Sequence, residues 1–226
     1  MELTLTPRLT AVARLVHQAA HLADVGTDHA YLPVRLLLDG RIEYAIAADL
    51  REGPLSRARE TAARYGVEGR ISFRLCDGLS GVGREEVDTV AIAGMGGETI
   101  AAILSAAPWT REGTRLLLQP MTSFPDLREW LQKNGYCILR EHIVREGKRL
   151  YTIWETEGGQ MPALSPGELW AGRQSDDLLR GAYLDMIAVK VNRALEGQRA
   201  SSRQNEEQIA ALAQVLTDIQ AMRKEL

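Results

Sequence analysis

The chain has 226 residues, 45% hydrophobic and 25% charged, with a formal net charge of -3. That length carries one full α/β domain and a small appendage, and no apolar run approaches the roughly 20 residues of a membrane span. The slightly acidic balance excludes a broadly basic nucleic-acid binder, so any contact with nucleic acid must come from local basic clusters.

A first helix is predicted from Pro7, with Leu9, Val12 and Val16 on one face. From His21 onward, short apolar strands alternate with helices. Strand one is His21 to Val25, and a helix follows from about Tyr31 with Pro33 in its first turn. Strand two, Tyr44 to Ala48, leads to a helix across Pro54 to Tyr65. Strand three is Ile71 to Leu75. Strand four, Val87 to Ala93, precedes a helix over Glu98 to Ala106. Strand five, Arg115 to Gln119, precedes a helix carrying Leu127, Trp130 and Leu131. Repeated units of this length predict a mostly parallel sheet with helices on both faces. Tyr136 to Val144 and Arg149 to Glu155 then flank the turn Arg145 to Lys148 with no room for a helix, so they are expected to form an antiparallel hairpin. A parallel sheet finished in this way resembles the methyltransferase variant of the doubly wound fold.

Glu157 to Pro166, rich in Gly and Pro, reads as a linker. Beyond it one helix is expected from Glu168 to Glu196, with Leu184, Ile187, Val191 and Leu195 on one face. A bend at Gly197 to Ser202 leads to a second helix from Arg203 to the end, with Ile209, Leu212, Leu216 and Ile219 at coiled-coil spacing. Two helices joined so closely should lie antiparallel. The expected division is a Rossmann-like domain over 1–157 and a C-terminal helical coiled-coil domain over 158–226.

The residues at the strand ends carry the chemistry. Asp24-Val-Gly26-Thr-Asp28-His29-Ala-Tyr-Leu-Pro33 runs from a strand into a loop and helix, where Gly26 allows close backbone approach of a nucleotide-like ligand. Asp28 would repel a pyrophosphate but suits a cationic sulfonium; otherwise it caps the helix. Asp49, 25 positions after Asp24, can bind two ribose hydroxyls or cap the helix near Glu52. Asp77-Gly78 after strand three can accept a hydrogen bond from an adenine amino group, or simply turn the chain. Ala93-Gly94-Met95-Gly96-Gly97 holds three glycines in four residues, which suits a ligand passing close to the backbone or a tight strand–helix turn. Gln119-Pro120-Met121 belongs to the same rim, and Gln119 can reach a base edge or end its strand.

Together, Asp24-Val-Gly-Thr-Asp-His-Ala-Tyr-Leu-Pro33, Ala93-Gly-Met-Gly-Gly97 and Leu118-Gln-Pro120 resemble the TrmK family, bacterial tRNA adenine-N1 methyltransferases that modify position 22 of tRNA. The resemblance covers nearly the whole chain. It departs at Met121, where the family commonly has Asn, and at Asp49, where an acidic residue is kept but is often Glu. It implies a class I methyltransferase sheet with a C-terminal antiparallel helical hairpin, S-adenosyl-L-methionine as cofactor and tRNA as partner. Asp24, Gly26, His29, Asp49, Asp77, Gly78, Gly94 and Met95 would then line the cofactor, and Asp28 would be the catalytic carboxylate. Arg8 and Arg14 on the first helix, with Gln119, Arg145, Lys148 and Arg149, are the candidate substrate contacts. The helical hairpin either packs or extends the tRNA-binding surface. Alternatives are a methyltransferase of another substrate class, or a cofactor- or RNA-binding protein without catalysis.

Other residues point to structure. His17 and His21 flank a helix–strand junction, and His142 has no evident partner. Trp130, Trp154 and Trp170 read as packing residues. Cys76 and Cys137 have no metal-ligand spacing and are expected to be buried free thiols. The opening Met-Glu-Leu-Thr-Leu-Thr-Pro lacks the order of a secretory signal. A cytoplasmic protein without metal, a monomer or weak homo-oligomer, is therefore expected.

Overall fold

Strands β1 (Leu22–Val25), β2 (Ala45–Asp49), β3 (Ile71–Leu75), β4 (Thr89–Gly96), β5 (Arg115–Thr122), β6 (Tyr136–Glu146) and β7 (Arg149–Gly158) form one sheet in the order β3-β2-β1-β4-β5-β7-β6. The computed structural model describes residues 3–173, 177–201 and 205–226. The first five strands are parallel, and β7 runs antiparallel to both β5 and β6. Every residue of β1 and β2 is buried, because helices cover both faces. Side chains alternate between two cores, as strand geometry requires. Leu22, Ala45 and Ala47 meet α1 (Pro7–Leu15), α2 (Tyr31–Leu38) and α3 (Glu52–Arg64) through Val12, Leu36 and Ala58. Ala23, Ile46 and Val90 meet α4 (Gly97–Ala106) and α5 (Phe124–Lys133) through Ile100 and Leu127.

Two strands run further than their sequences suggest. β4 continues through Gly94-Met95-Gly96, and β5 through Pro120 to Thr122, with register shifts around Met95. Gly94, at φ +79°, provides the irregularity that lets pairing continue past the expected ends at Ala93 and Gln119. The hairpin turn is also tighter than expected. Arg145 pairs with Leu150 and Glu146 with Arg149, leaving a two-residue loop of Gly147 and Lys148.

The long helix expected over Glu168 to Glu196 is two helices. α6 (Pro166–Ala171) starts at a capping box, with Ser165 Oγ accepting from Glu168 N and Glu168 Oε2 accepting from Ser165 N. It stops at Gly172, whose φ is +71° and whose added Cβ would lie 2.2 Å from Glu141 Oε1. α7 (Arg180–Ala200) then starts afresh and runs straight through Gly197, where the bend was expected. A side chain at Gly197 would meet nothing within 4 Å, so this glycine is an exposed helical residue rather than a breaker. α8 (Glu206–Lys224) begins with Asn205 accepting from Gln208 N. Ser202 and Arg203, the expected end of the bend and start of the second helix, lie outside the described residues. Asp185 near the start of α7 bonds Arg223 near the end of α8, so the two helices are antiparallel. Leu184, Ile187, Val191 and Leu195 are buried against Leu212, Val215 and Ile219; Ile209 and Leu216 flank this seam half-buried.

Two smaller expectations change. Both cysteines are free but only half-buried, because Cys76 follows β3 and Cys137 lies on β6, the two edges of the sheet. His142 does have a partner: its Nε2 lies 2.6 Å from Glu155 Oε1. His142 registers with Ile153, so Glu155 is its diagonal neighbour on β7. Trp154 is fully buried, whereas Trp130 and Trp170 are partly buried. Among the described residues, no helix is long and apolar enough to cross a membrane, and no group of three or more His, Cys, Asp or Glu side chains could hold a metal.

The tail is fastened to the sheet by a buried charge. Arg128 on α5 has no solvent exposure. Its Nη2 donates to Glu141 Oε2 at 2.6 Å, and its Nη1 donates to the carbonyls of Leu169 and Trp170 on α6. Its guanidinium carbon lies 4.3 Å from the centre of the Trp154 ring. Removing one partner of a buried ion pair leaves the other charge uncompensated. Arg128→Ala is therefore expected to cost about 3–5 kcal/mol of stability by urea denaturation; a loss below about 1 kcal/mol would show that the tail is not held in this way.

Candidate active site

Parallel strands end on one rim of the sheet, and the loops leaving β1, β2, β3 and β4 crowd together there. The backbone ties them: Gly26 N and Thr27 N donate to Ala48 O, and Cys76 N donates to Asp49 O. Gly26 turns the chain at φ +76°, and a Cβ there would lie 2.1 Å from Met95 Cε. The loop after β1 therefore packs directly against the Met95 side chain arriving from β4.

Two carboxylates sit inside this rim. Asp24 is buried, and its carboxyl is pushed up to about 6, mainly by burial and further by the nearby Asp49 charge. Asp49 is also buried, and its Oδ1 accepts from Arg51 N at 2.9 Å. Arg51, not Asp49, stands at the N-cap of α3. The Thr27 hydroxyl is buried beside them, and its interaction with the Asp24 carboxyl offsets part of that upward shift. Buried carboxylates under glycine backbone suit a ligand that brings hydroxyl donors and positive charge.

Asp28 faces outward, and its side chain is 65% exposed. It does not cap α2, whose N-cap is Ala30 in the left-handed region with no side-chain capping bond. Its carboxylate instead pairs with Arg57 of α3, and this bond holds it below the usual carboxylate range. Its other oxygen lies 3.7 Å from His29 Nε2, and the His29 ring stacks on Tyr31 with centroids 4.9 Å apart. Asp77 is exposed beyond β3. Gly78, at φ +55°, presses on Ile103 of α4, within 3 Å of any added Cβ.

Gln119 organises the neighbouring part of the rim. It has no solvent exposure, and its Oε1 accepts from Gly94 N and from Arg8 Nη1, both at 3.0 Å. Its Nε2 donates to Pro120 O and reaches Met121 Sδ at 3.4 Å. The amide is thus spent inside the protein, and the expected reach to a base edge gives way to holding Gly94. Met121 answers both Arg8 and Gln119 through its sulfur. Arg8 also donates its backbone N–H to Glu146 and lies over the Tyr151 ring, while its Nε is buried without a partner.

These contacts bring the tip of the β6–β7 hairpin to the same rim. Arg145, Lys148 and Arg149 are exposed on that tip. Arg14 is not with them: it lies in the last turn of α1, beside Arg41 and Arg115 near the opposite edge. Arg57, Glu146 and Tyr151 also contact the candidate residues and carried no sequence motif. Only the topology, which sets α3 beside the β1 loop and the hairpin tip beside α1, would have flagged them.

A sequence profile described as a methyltransferase domain matches residues 5–154. The tRNA (adenine(22)-N(1))-methyltransferase of Bacillus subtilis (strain 168) is 38% identical over 167 residues, covering 74% of this chain and 70% of that protein. The crystal structure of the B. subtilis m1A22 tRNA methyltransferase TrmK superposes with a TM-score of 0.87 at 30% identity, covering 98% of this chain and 100% of the other. Streptococcus pneumoniae Sp1610 in complex with S-adenosyl-L-methionine gives a TM-score of 0.81 at 36% identity, covering 94% and 100%. The sheet order, the strand-end residues and these matches agree: the chain belongs to the TrmK family of tRNA methyltransferases.

Proposed function

We propose that this protein transfers the methyl group of S-adenosyl-L-methionine to N1 of the adenine at position 22 of tRNA. The observation that carries this reading is the meeting of Asp24, Asp49 and the Gly26 and Gly94 backbones on one rim, in a chain of this family. The cofactor, when bound, supplies an electrophilic methyl group on a positively charged sulfonium. Asp49 has Oδ2 available for the ribose hydroxyls, while Oδ1 is fixed by Arg51 N. Asp77 and Gly78 suit the adenine end, and Asp24, Gly26, His29, Gly94 and Met95 the remainder of the cofactor. The buried Asp24 carboxyl is readied for a cation, because a positive neighbour repays the cost of ionising it.

Adenine N1 carries an in-plane lone pair, so no base is needed to expose it. The protein's task is alignment and charge stabilisation as positive charge moves onto the adenine. Asp28 is the group for this. Arg57 keeps it ionised, and it can accept a hydrogen bond from the adenine amino group, although Arg57 also takes up part of its charge. N1 lies on the Watson–Crick edge, so the base must leave its pairing or stacking first. Arg145, Lys148 and Arg149 suit backbone phosphates around the site, with Arg8 beside them, while Gln119 acts through Gly94. We treat 1–157 as the catalytic domain and 158–226 as a helical domain that extends the RNA-facing surface. We place the enzyme in the cytoplasm with its tRNA, as a monomer or weak homo-oligomer.

Incubation with labelled cofactor and unmodified tRNA, followed by mass-spectrometric mapping, should place 1-methyladenosine at position 22; cofactor binding without transfer to tRNA would refute the reading. Asp49→Ala should weaken cofactor binding by about 1.5–3 kcal/mol in calorimetry, the range for hydrogen bonds to a charged group. Unchanged affinity in a folded variant would remove Asp49 from the site. Asp28→Asn should lower kcat on the order of tenfold or more while leaving cofactor affinity nearly unchanged; a fully active variant would end its electrostatic role.

Asp24 gives a pH signature. Its folded value of about 6 lies above the ordinary 3.8, so the stability it contributes is present below about pH 4 and is lost as pH rises through 6. Cofactor binding favours the ionised form, so affinity should be roughly tenfold weaker at pH 5 than at pH 7.5. Asp24→Asn should abolish that difference, and a pH-independent wild type would contradict the assignment.

A further inference from the structure

A groove of about 560 Å³ lies on the edge of the sheet opposite the site, between the end of α1 and the faces of β5, β7 and β6. Four arginines line it: Arg14, Arg41, Arg115 and Arg140. Nothing in the proposed reaction uses this groove. β5 alone spans eight residues from this end of the sheet to the catalytic rim, about 25 Å at strand rise, so no ligand of cofactor size reaches both.

The charges here are only partly answered. Glu155 is buried and pairs with Arg115, and its other oxygen lies 2.6 Å from His142 Nε2. Arg115 Nε remains buried without a partner. Arg41 spends one Nη on the carbonyl of Ala13. Arg14 and Arg140 are exposed, and among the described residues neither side chain makes a hydrogen bond or ion pair. Of the two carboxylates on the lining, Glu157 is exposed and opposes an anion. In a chain with a net charge of -3, four guanidinium groups around one groove are a local reversal of sign.

The geometry points to a phosphate-binding groove: we propose that it takes a stretch of RNA sugar–phosphate backbone remote from the methylated base. Guanidinium forks match phosphate oxygens, and such contacts fix register without reading sequence. Among the described residues the groove is lined by His17 and His142 but by no Phe, Tyr or Trp on which a base could stack, which favours backbone over base recognition. The groove is open, as a continuous polyanion requires. The inference rests on tRNA being the substrate, since only a large folded RNA spans from the catalytic rim to this edge. Arg14 then belongs to a second basic cluster, separate from Arg145, Lys148 and Arg149.

The test is the salt dependence of tRNA binding by the full-length protein and by the double variant Arg14→Ala, Arg140→Ala. Two lost phosphate contacts should flatten the slope of log Kd against log salt by about 2 and weaken binding roughly tenfold near physiological salt. Cofactor affinity serves as the folding control. Glu157→Gln should move tRNA affinity the other way. A folded double variant with wild-type affinity and slope overturns the groove, while methylation of tRNA by the wild type in parallel leaves the proposed activity standing. Stabilisation of the wild type, but not of the double variant, by inorganic phosphate, without any change in tRNA affinity, also overturns it and makes the groove a small-anion site. A wild type that neither binds nor methylates tRNA overturns both readings.

Discussion

A guanidinium withdrawn wholly from water costs several kcal/mol unless its charge and its donors are answered. Arg128 meets that demand by gathering four elements around itself: α5 supplies it, β6 supplies the Glu141 carboxylate, β7 the Trp154 ring and α6 two carbonyls. The requirement works in both directions. The carbonyls at the end of α6 would otherwise be orphaned at a helix terminus, and they are satisfied only where Arg128 can reach them. Arg180 repeats the device one step along the chain, donating to the carbonyls of Ala171 and Gly172 from the start of α7. The helical tail is therefore joined to the methyltransferase sheet through directional bonds in a dry environment, not through apolar contact alone.

The site shows a comparable economy in its charges. Inside the rim, Asp24 and Asp49 are buried close enough for one to raise the other's proton affinity. Outside it, Asp28 is exposed and held ionised by Arg57. A ligand carrying a pyrophosphate would be repelled by this arrangement, whereas one carrying hydroxyls and a positive sulfur finds partners for both. On the proposed assignment, the same doubly wound scaffold is turned from phosphate recognition toward a sulfonium cofactor by carboxylates at two strand ends.

Much of this was legible in the sequence for identifiable reasons. β1, β2 and β3 stood out because strands covered on both faces, or bounded by clear turns, leave short apolar runs. The acidic strand ends could be grouped because parallel strands place their ends on one rim whatever their separation along the chain. Elsewhere local signals misled. Gly94 and Pro120 look like strand breakers, yet a bulge lets β4 and β5 pair beyond them. Gly197 looks like a bend and is an ordinary helical residue. Gly172 stands inside a convincing helical pattern and ends it, because Glu141 occupies the space a side chain would need. Arg8 and Gln119 meet across 111 positions, and Arg57 and Asp28 across 29, distances over which no spacing rule operates.

The break at Gly172 has a mechanical meaning. α7 is 21 residues long, so its far end lies about 30 Å from its start, and one degree of rotation at its first residue displaces that end by roughly 0.5 Å. A glycine free to turn would make the tail a loose lever. Here Arg128 clamps the carbonyls of α6, and Arg180, the first residue of α7, clamps those of Ala171 and Gly172, so the lever is locked at its base and becomes a ruler: its tip is held at a set distance and heading from the sheet.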